Sequence, residues 1–344
     1  MSESTGVVHM GEFGAVAGPD PRGRFLGMTR LPRLILSRGH LFHGTTLKEL
    51  ARSAKTGALH RVRQGVYVDG AAWAALKPWE QYRVQIGAAA ETSRARTIFA
   101  RHSAASVWGI PTIGLHHPVQ AVTLRNDGGR SRAGITRHYA DPSGLKVCRR
   151  EGLLVTDRVR TVLDLAAFTP FVEAIAPLDH VLKADRKRGL PAITKEALLA
   201  GADGIYTAAA IRRIQTAVEF ADPLSGSAGE SYSRALMHVG GFEAPVLQRE
   251  FRDEAGLVGF SDFYWKGVRV AGEFDGIDKY LKPEFLKGRT PAQAVVEEKL
   301  REDRIRATGC GVVRWVWAEL MAPGVLERKL AAAGVPRRRP RGGF

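Results

Sequence analysis

Between Ser227 and Trp317 the hydrophobic period changes repeatedly, and the order of those changes constrains the fold more than any other feature of the chain. A helical stretch opens near Ser227 and carries Glu230. Extended apolar runs follow at Val246–Phe251, Gly259–Trp265 and Val268–Gly276. A charged helix at about Pro291–Thr308 leads into an apolar strand, Gly311–Trp317, on which Trp315 and Trp317 alternate as core residues. Helix, three strands, helix, strand is an α/β (α+β) layer pattern, in which helices cover a sheet.

The chemistry-bearing residues of this stretch are carboxylates. Glu273 and Asp275 stand two residues apart on one strand and therefore point to one face. Asp262 lies on the preceding strand, and the turn between the two is short enough for an antiparallel pair that sets it beside Glu273. Carboxylates converging among Phe, Val and Trp repel one another unless a cation is present. Oxygen ligands of this kind suit Mg²⁺ (or Mn²⁺), which polarises a phosphodiester and activates water. The same spacing also fits a strand face whose acids are matched by neighbouring Arg and Lys. On the charged helix, Glu298, Lys299, Arg301, Glu302, Asp303 and Arg304 are spaced for i,i+3 and i,i+4 ion pairs, with phosphate contacts by its cations as the alternative.

Glu230, Asp262, Glu273-Phe274-Asp275-Gly276 with Lys279, and Glu298–Asp303 ahead of Val313-Arg314-Trp315 resemble the PD-(D/E)XK nuclease superfamily, in its branch related to very-short-patch repair endonucleases. The likeness spans roughly residues 225–320, within an expected domain 225–330. It implies a restriction-endonuclease-like fold, Asp262 and Glu273 as metal ligands, and Glu230 as a supporting acid. The superfamily's lysine two residues after the last acid is replaced here by Asp275, which leaves Lys279, a loop position later, as the candidate for its role. The branch's histidines and zinc site have no counterpart, because this section holds only His238 and one cysteine.

Towards the N-terminus, residues 31–76 read as a helix-turn-helix followed by a strand. An apolar helix is expected at Leu34–Leu36. Thr46 with Glu49 has capping-box spacing ahead of a second helix, and Thr56 is placed to cap a third, Gly57–Val62, before the β-like Gly65–Val68. On that reading Lys55, His60, Arg61 and Arg63 lie on or beside the recognition helix. Residues 77–222 alternate helical and extended runs. They include a basic loop with Arg125, Arg130 and Arg132, and end at an expected linker, residues 222–227. Three segments here resemble the AbiEi-type antitoxins: Arg61–Val68, Arg101–Ala105 with Trp108–Pro111, and Thr156–Leu165. That resemblance covers roughly residues 30–185 and implies a winged helix-turn-helix followed by a mixed α/β domain that binds operator DNA, with a toxin or other protein as a partner. Residues 1–30 and the basic tail 331–344 are expected to be disordered or flexible.

Charge decides the class of partner. The formal net charge is +16, from 51 Lys and Arg against 35 Asp and Glu. Residues 1–223 carry +12 of it (31 basic minus 19 acidic). Such a field favours polyanions through counterion release, DNA first, and RNA fits the charge equally well. Neither an apolar run long enough for a membrane span nor a signal peptide is present, so a cytoplasmic protein is expected. Two cysteines, Cys148 and Cys310, give no disulfide framework and are expected to be buried reduced thiols. His102, His116, His117 and His138 have no metal-ligand spacing. The combined expectation is a DNA-binding protein with a metal-dependent endonuclease domain. The alternative is an operator-binding regulator that keeps the nuclease fold without its chemistry.

Overall fold

The computed structural model describes residues 7–8, 31–40, 46–93, 96–124, 131, 134–276 and 290–337. The chain is mixed α/β, with helices and several sheets, and divides into two compact units: residues 1–168 with 193–215, and residues 169–192 with 216–344. No helix among the described residues is long and apolar enough to cross a membrane.

The first unit opens with an edge strand, β1 (Val7–Val8), inside the stretch expected to be disordered. Next come strand β2 (Ile35–Leu36) and a four-residue helix, α1 (Ser37–His40), so the helix expected at Leu34–Leu36 is instead extended and pairs with a later strand. Helix α2 (Leu47–Lys55) begins at the predicted capping box: Thr46 accepts from the Glu49 amide while Glu49 takes the Thr46 amide at 2.7 Å. The expected third helix at 57–62 does not form. Thr56 closes α2 as its C-cap, and Gly57, at φ +80°, turns the chain out of the helix. Residues Leu59–Arg63 then run extended as β3 and fold back through Gly65 (φ +76°) onto β4 (Val66–Asp69). The resulting sheet has the order β2-β4-β3.

Helices α3 (Gly70–Ala75) and α4 (Pro78–Thr92) lead to a six-stranded sheet. Its strands are β5 (Ile98–Phe99), β6 (Val119–Thr123), β7 (Ile135–Tyr139), β8 (Val147–Arg150) and β9 (Leu153–Thr156) together with β1, in the order β1-β8-β9-β5-β6-β7. Helix α5 (Arg101–Trp108) follows β5 and stops at left-handed Gly109. Helix α6 (Arg158–Phe168) follows β9, and the Trp108 indole donates to the Thr156 carbonyl at 2.8 Å, tying the two helix–strand junctions together. The chain then enters the second unit as α7 (Phe171–Val181), returns as α8 (Lys195–Ala202) and crosses again along α9 (Ala208–Phe220).

The second unit is built on a four-stranded sheet. Helix α10 (Ala228–Val239) is capped by Ser227 and precedes β10 (Val246–Asp253), β11 (Gly256–Trp265) and β12 (Val270–Asp275). Helix α11 (Pro291–Ala307) carries a Thr290–Gln293 capping box and leads to β13 (Gly311–Val316), which runs parallel to β12. The other neighbours are antiparallel, in the order β10-β11-β12-β13. One face packs Phe263, Trp265, Phe274 and Trp315 against α10; Gly229 allows the approach, since a Cβ there would meet Phe274 at 2.1 Å. The other face packs Phe251, Ala271 and Cys310 against Ile305 of α11.

Trp315 is fully buried as expected, whereas Trp317 leaves the strand to start helix α12 (Trp317–Met321). Helix α13 (Val325–Ala332) follows, and the first residues of the supposed tail are docked: Val335 is buried, and Arg337 lies over the Phe242 ring at 4.5 Å. Residues 338–344 of that tail lie outside the described residues. Both cysteines are free and buried.

Candidate functional site

Asp262 and Glu273 come together as the sequence predicts, but not as open metal ligands. The β11–β12 ladder runs from Trp265–Val270 to Phe263–Gly272, which puts Asp262 and Glu273 on the next rung and on one face. There Asp262 Oδ2 accepts the Phe274 amide at 2.8 Å, so a side chain takes over a backbone donor at the end of the pairing. Glu273 is buried, and each of its oxygens meets an arginine: Oε1 lies 2.6 Å from Arg301 on α11, and Oε2 2.7 Å from Arg314 on β13. Parallel register sets Arg314 directly beside Glu273. Arg301 reaches across from the helix and also donates to the Phe260 carbonyl at 3.2 Å, and its stem lies where a Cβ added at Gly259 would meet it at 3.4 Å.

The arginines serve more than one acid. Arg301 donates to both oxygens of Glu298, at 3.0 and 2.6 Å; Arg314 also pairs with Glu298 and approaches Glu302 at 3.1 Å. Burial pushes the Glu298 carboxyl up, but the hydrogen bonds and charges of Arg301 and Arg314 outweigh it and leave the group below its ordinary value. Burial likewise opposes the charge of Arg301, and the hydrogen bonds and charges of Glu298 and Glu273 reverse that and raise it. The result is a network of three acids and two arginines that ties α11 to β12 and β13. An ion pair of this depth is held by mutual hydrogen bonding rather than by Coulomb energy alone.

The remaining predicted acids do not complete a cation site. Glu230 is buried in the first turn of α10, where its Oε2 accepts the Gly226 amide at 2.6 Å and the Gln248 side-chain amide at 3.1 Å. Helix α10 covers the Phe274–Trp315 face of the sheet, opposite to the face that Glu273 and Arg314 share. Asp275 is half-buried at the end of β12, and Lys279 lies outside the described residues. Among the described residues no three His, Cys, Asp or Glu side chains are grouped to hold a metal ion. Mg²⁺ demands near-ideal octahedral oxygen geometry, which here requires two arginines to leave Glu273. The donor set as folded does not fit the cation.

The predicted reader residues are redistributed by the loss of the 57–62 helix. His60 sits on β3 with its ring stacked on Trp73 (centroids 4.2 Å apart, planes 7° apart), and burial lowers its pKa. Arg61 is exposed on β3; Arg63 is half-buried, its pKa lowered by burial and by the charge of Arg137. Lys55 is exposed in the last turn of α2. Arg125, Arg130 and Arg132 lie outside the described residues. What the motif reading missed is not α2, whose capping box it found, but the basic row along it. Lys48, Arg52 and Lys55 recur at i, i+4 and i+7 and are exposed, while Leu50 on the same helix is buried. That spacing was legible once α2, rather than 57–62, is taken as the presented helix.

No protein-family model matches the chain. Two curated proteins from strains of Mycobacterium tuberculosis, Uncharacterized protein MT2308 and Uncharacterized protein Rv2248, are each 26% identical over 246 residues, 71% of this chain and 84% of theirs. The crystal structure of RV2827C protein from Mycobacterium tuberculosis is similar at a TM-score of 0.34 and 15% identity, covering 64% of this chain and 84% of that one.

Proposed function

We propose that the chain is a DNA-binding regulator of the kind the AbiEi-type antitoxins represent, with a nuclease-like C-terminal fold kept as a scaffold or as a surface for a protein partner. The observation that carries this reading is the state of Glu273, whose two oxygens are each held by an arginine. An acid so paired neither binds a cation nor activates water without first breaking the network.

The reading half of the proposal rests on α2 and the β3–β4 hairpin. A strand, a short helix, a second helix and a hairpin whose return strand pairs centrally fit a winged helix-turn-helix with α1 and α2 as its helices. Lys48, Arg52 and Lys55 then face phosphates or base edges in the major groove, and Arg61 on the hairpin meets the backbone beside it. The +12 charge of residues 1–223 supplies the sequence-independent part of the affinity. The test is a gel shift across a salt series, using DNA fragments from upstream of the chain's own coding sequence. Replacing Lys48, Arg52 and Lys55 together by Ala is expected to weaken binding and to flatten its log–log salt dependence by about 0.9 per lost phosphate contact. Unchanged affinity and slope reject α2 as the reader.

A metal-dependent endonuclease is the second reading. It is favoured by the placement of Asp262 and Glu273 on adjoining strands of a β10-β11-β12-β13 sheet whose last strand returns in parallel after a helix. It requires that DNA or Mg²⁺ displace Arg301 and Arg314. Loss of the free Mn²⁺ resonance signal on adding protein, reversed by Asp262→Asn, supports it; an undiminished signal with the parent chain opposes it.

A further inference from the structure

Two of the segments that carry the antitoxin resemblance, Arg101–Ala105 and Thr156–Leu165, meet in the first unit around a side chain that lacks a hydrogen-bonding partner among the described residues. Arg101 opens α5 with φ at +50°, a left-handed conformation that strains a non-glycine residue. Among the described residues its guanidinium makes no hydrogen bond; the Nε is buried without a partner, and the group lies over the Phe168 ring at 4.2 Å. A strained backbone and an unsatisfied buried donor thus fall on one residue.

Asp164 and Tyr206 support its charge electrostatically, but among the described residues no acid hydrogen-bonds to it. Asp164 is buried within electrostatic reach of Arg101, but its Oδ1 already accepts Arg160 Nε at 2.8 Å and the Tyr206 hydroxyl at 2.7 Å. His138 on β7 has a buried Nε2 that is also without a partner. Burial, then the nearby Arg101 charge, pushes that imidazole down to about 4, so at neutral pH it is an uncharged hydrogen-bonding group. Arg160 presents a second guanidinium against the Tyr206 ring at 5.2 Å. Phe168, over which Arg101 lies, is half exposed.

We infer that Arg101, with His138 and Arg160, forms a binding site for a phosphate group, separate from the DNA-reading helix. A tetrahedral oxyanion offers several acceptors at once, which suits an arginine edge bare of protein partners next to an unpaired imidazole nitrogen. The phosphate belongs either to a small phosphorylated ligand or to a nucleic-acid backbone, and the chemistry of the site is the same for both.

The experiment uses the full chain and Arg101→Gly. Glycine relieves the positive φ, so this variant is expected to be at least as heat-stable as the parent, whereas a purely structural arginine would leave it less stable. Thermal midpoints are recorded with and without inorganic phosphate and a 5′-mononucleotide, against chloride at equal ionic strength. Duplex DNA affinity is measured in parallel. A midpoint that rises with phosphate or nucleotide in the parent but not in the variant supports the site and assigns it a small ligand. A fall of tenfold or more in DNA affinity in Arg101→Gly, with no phosphate response in the parent, supports the site and assigns it to the nucleic-acid backbone. Equal responses of parent and variant in both arms, or a destabilised variant with unchanged binding, overturn it. Because the α2 triple variant keeps Arg101, failure of the reader proposal and failure of this one register separately.

Discussion

At the scale of single residues, Glu273 carries the argument. It is buried and shared between Arg301 and Arg314, so replacing it by Gln leaves two half-buried guanidinium groups short of a counter-charge. Loss of one member of such a network costs about 3–5 kcal/mol, and Glu273→Gln is expected to lower stability by about 3 kcal/mol in urea unfolding. A cost under about 0.5 kcal/mol, the size of an ordinary surface change, would contradict a structural role.

Glu298 gives the same network a pH signature. Its folded pKa lies below the unfolded value, so its contribution is complete above that value and is lost as pH falls through the folded one. The parent is therefore expected to lose urea midpoint as pH falls below the ordinary glutamate range, and Glu298→Gln to lose less over the same acid range. Identical pH dependence in the two proteins would place the acid sensitivity elsewhere. Gly229 tests the packing on the opposite face: the 2.1 Å that a Cβ would leave to Phe274 predicts that Gly229→Ala costs about 1–3 kcal/mol, read as a lower midpoint.

At the scale of elements, local signals were legible where they were self-contained. The Thr46 capping box and the extended runs between Val246 and Val316 are each written in neighbouring residues, and the elements follow them. Residues 57–62 were misread because Thr56 has the side chain of an N-cap, while the deciding residue was Gly57, which stops α2 and lets β3 pair with β4. Strand pairing is non-local, so the preference of Leu59–Arg63 was settled by its partner rather than by its own pattern.

The acids on β11 and β12 were placed correctly by the period-two rule. Their arginine partners were not found, since Arg301 and Arg314 are 28 and 41 residues from Glu273 and only the α11 crossover brings them back. His60 shows the corrected helix at work: the stack on Trp73 predicts that His60→Ala lowers thermal stability and leaves DNA affinity within twofold. A selective loss of DNA affinity would return His60 to the reader.

At the scale of the whole molecule, composition misplaced a boundary. Residues 222–227 have the look of a linker, yet the Asp222 amide donates to Asp179 Oδ1 at 2.7 Å and Lys183 reaches the Ser225 carbonyl, which pins the segment to α7. Arg234 on α10 then binds both oxygens of Asp179 at 2.9 and 2.8 Å, and residues 169–192 fall within the same unit as the C-terminal sheet. The charge asymmetry needs no fold to be counted, and the proposed polyanion binding rests on it for the stretch that contains α2 and Arg101.

The central claim is that this chain holds DNA without cutting it. Supercoiled plasmid incubated with the parent protein and Mg²⁺ or Mn²⁺, then stripped of protein and resolved on a gel, tests that claim directly, provided a companion lane without stripping shows the plasmid bound. Bound plasmid that stays supercoiled is the expected result; nicked or linear plasmid that disappears with Asp262→Ala or Glu273→Ala would contradict it.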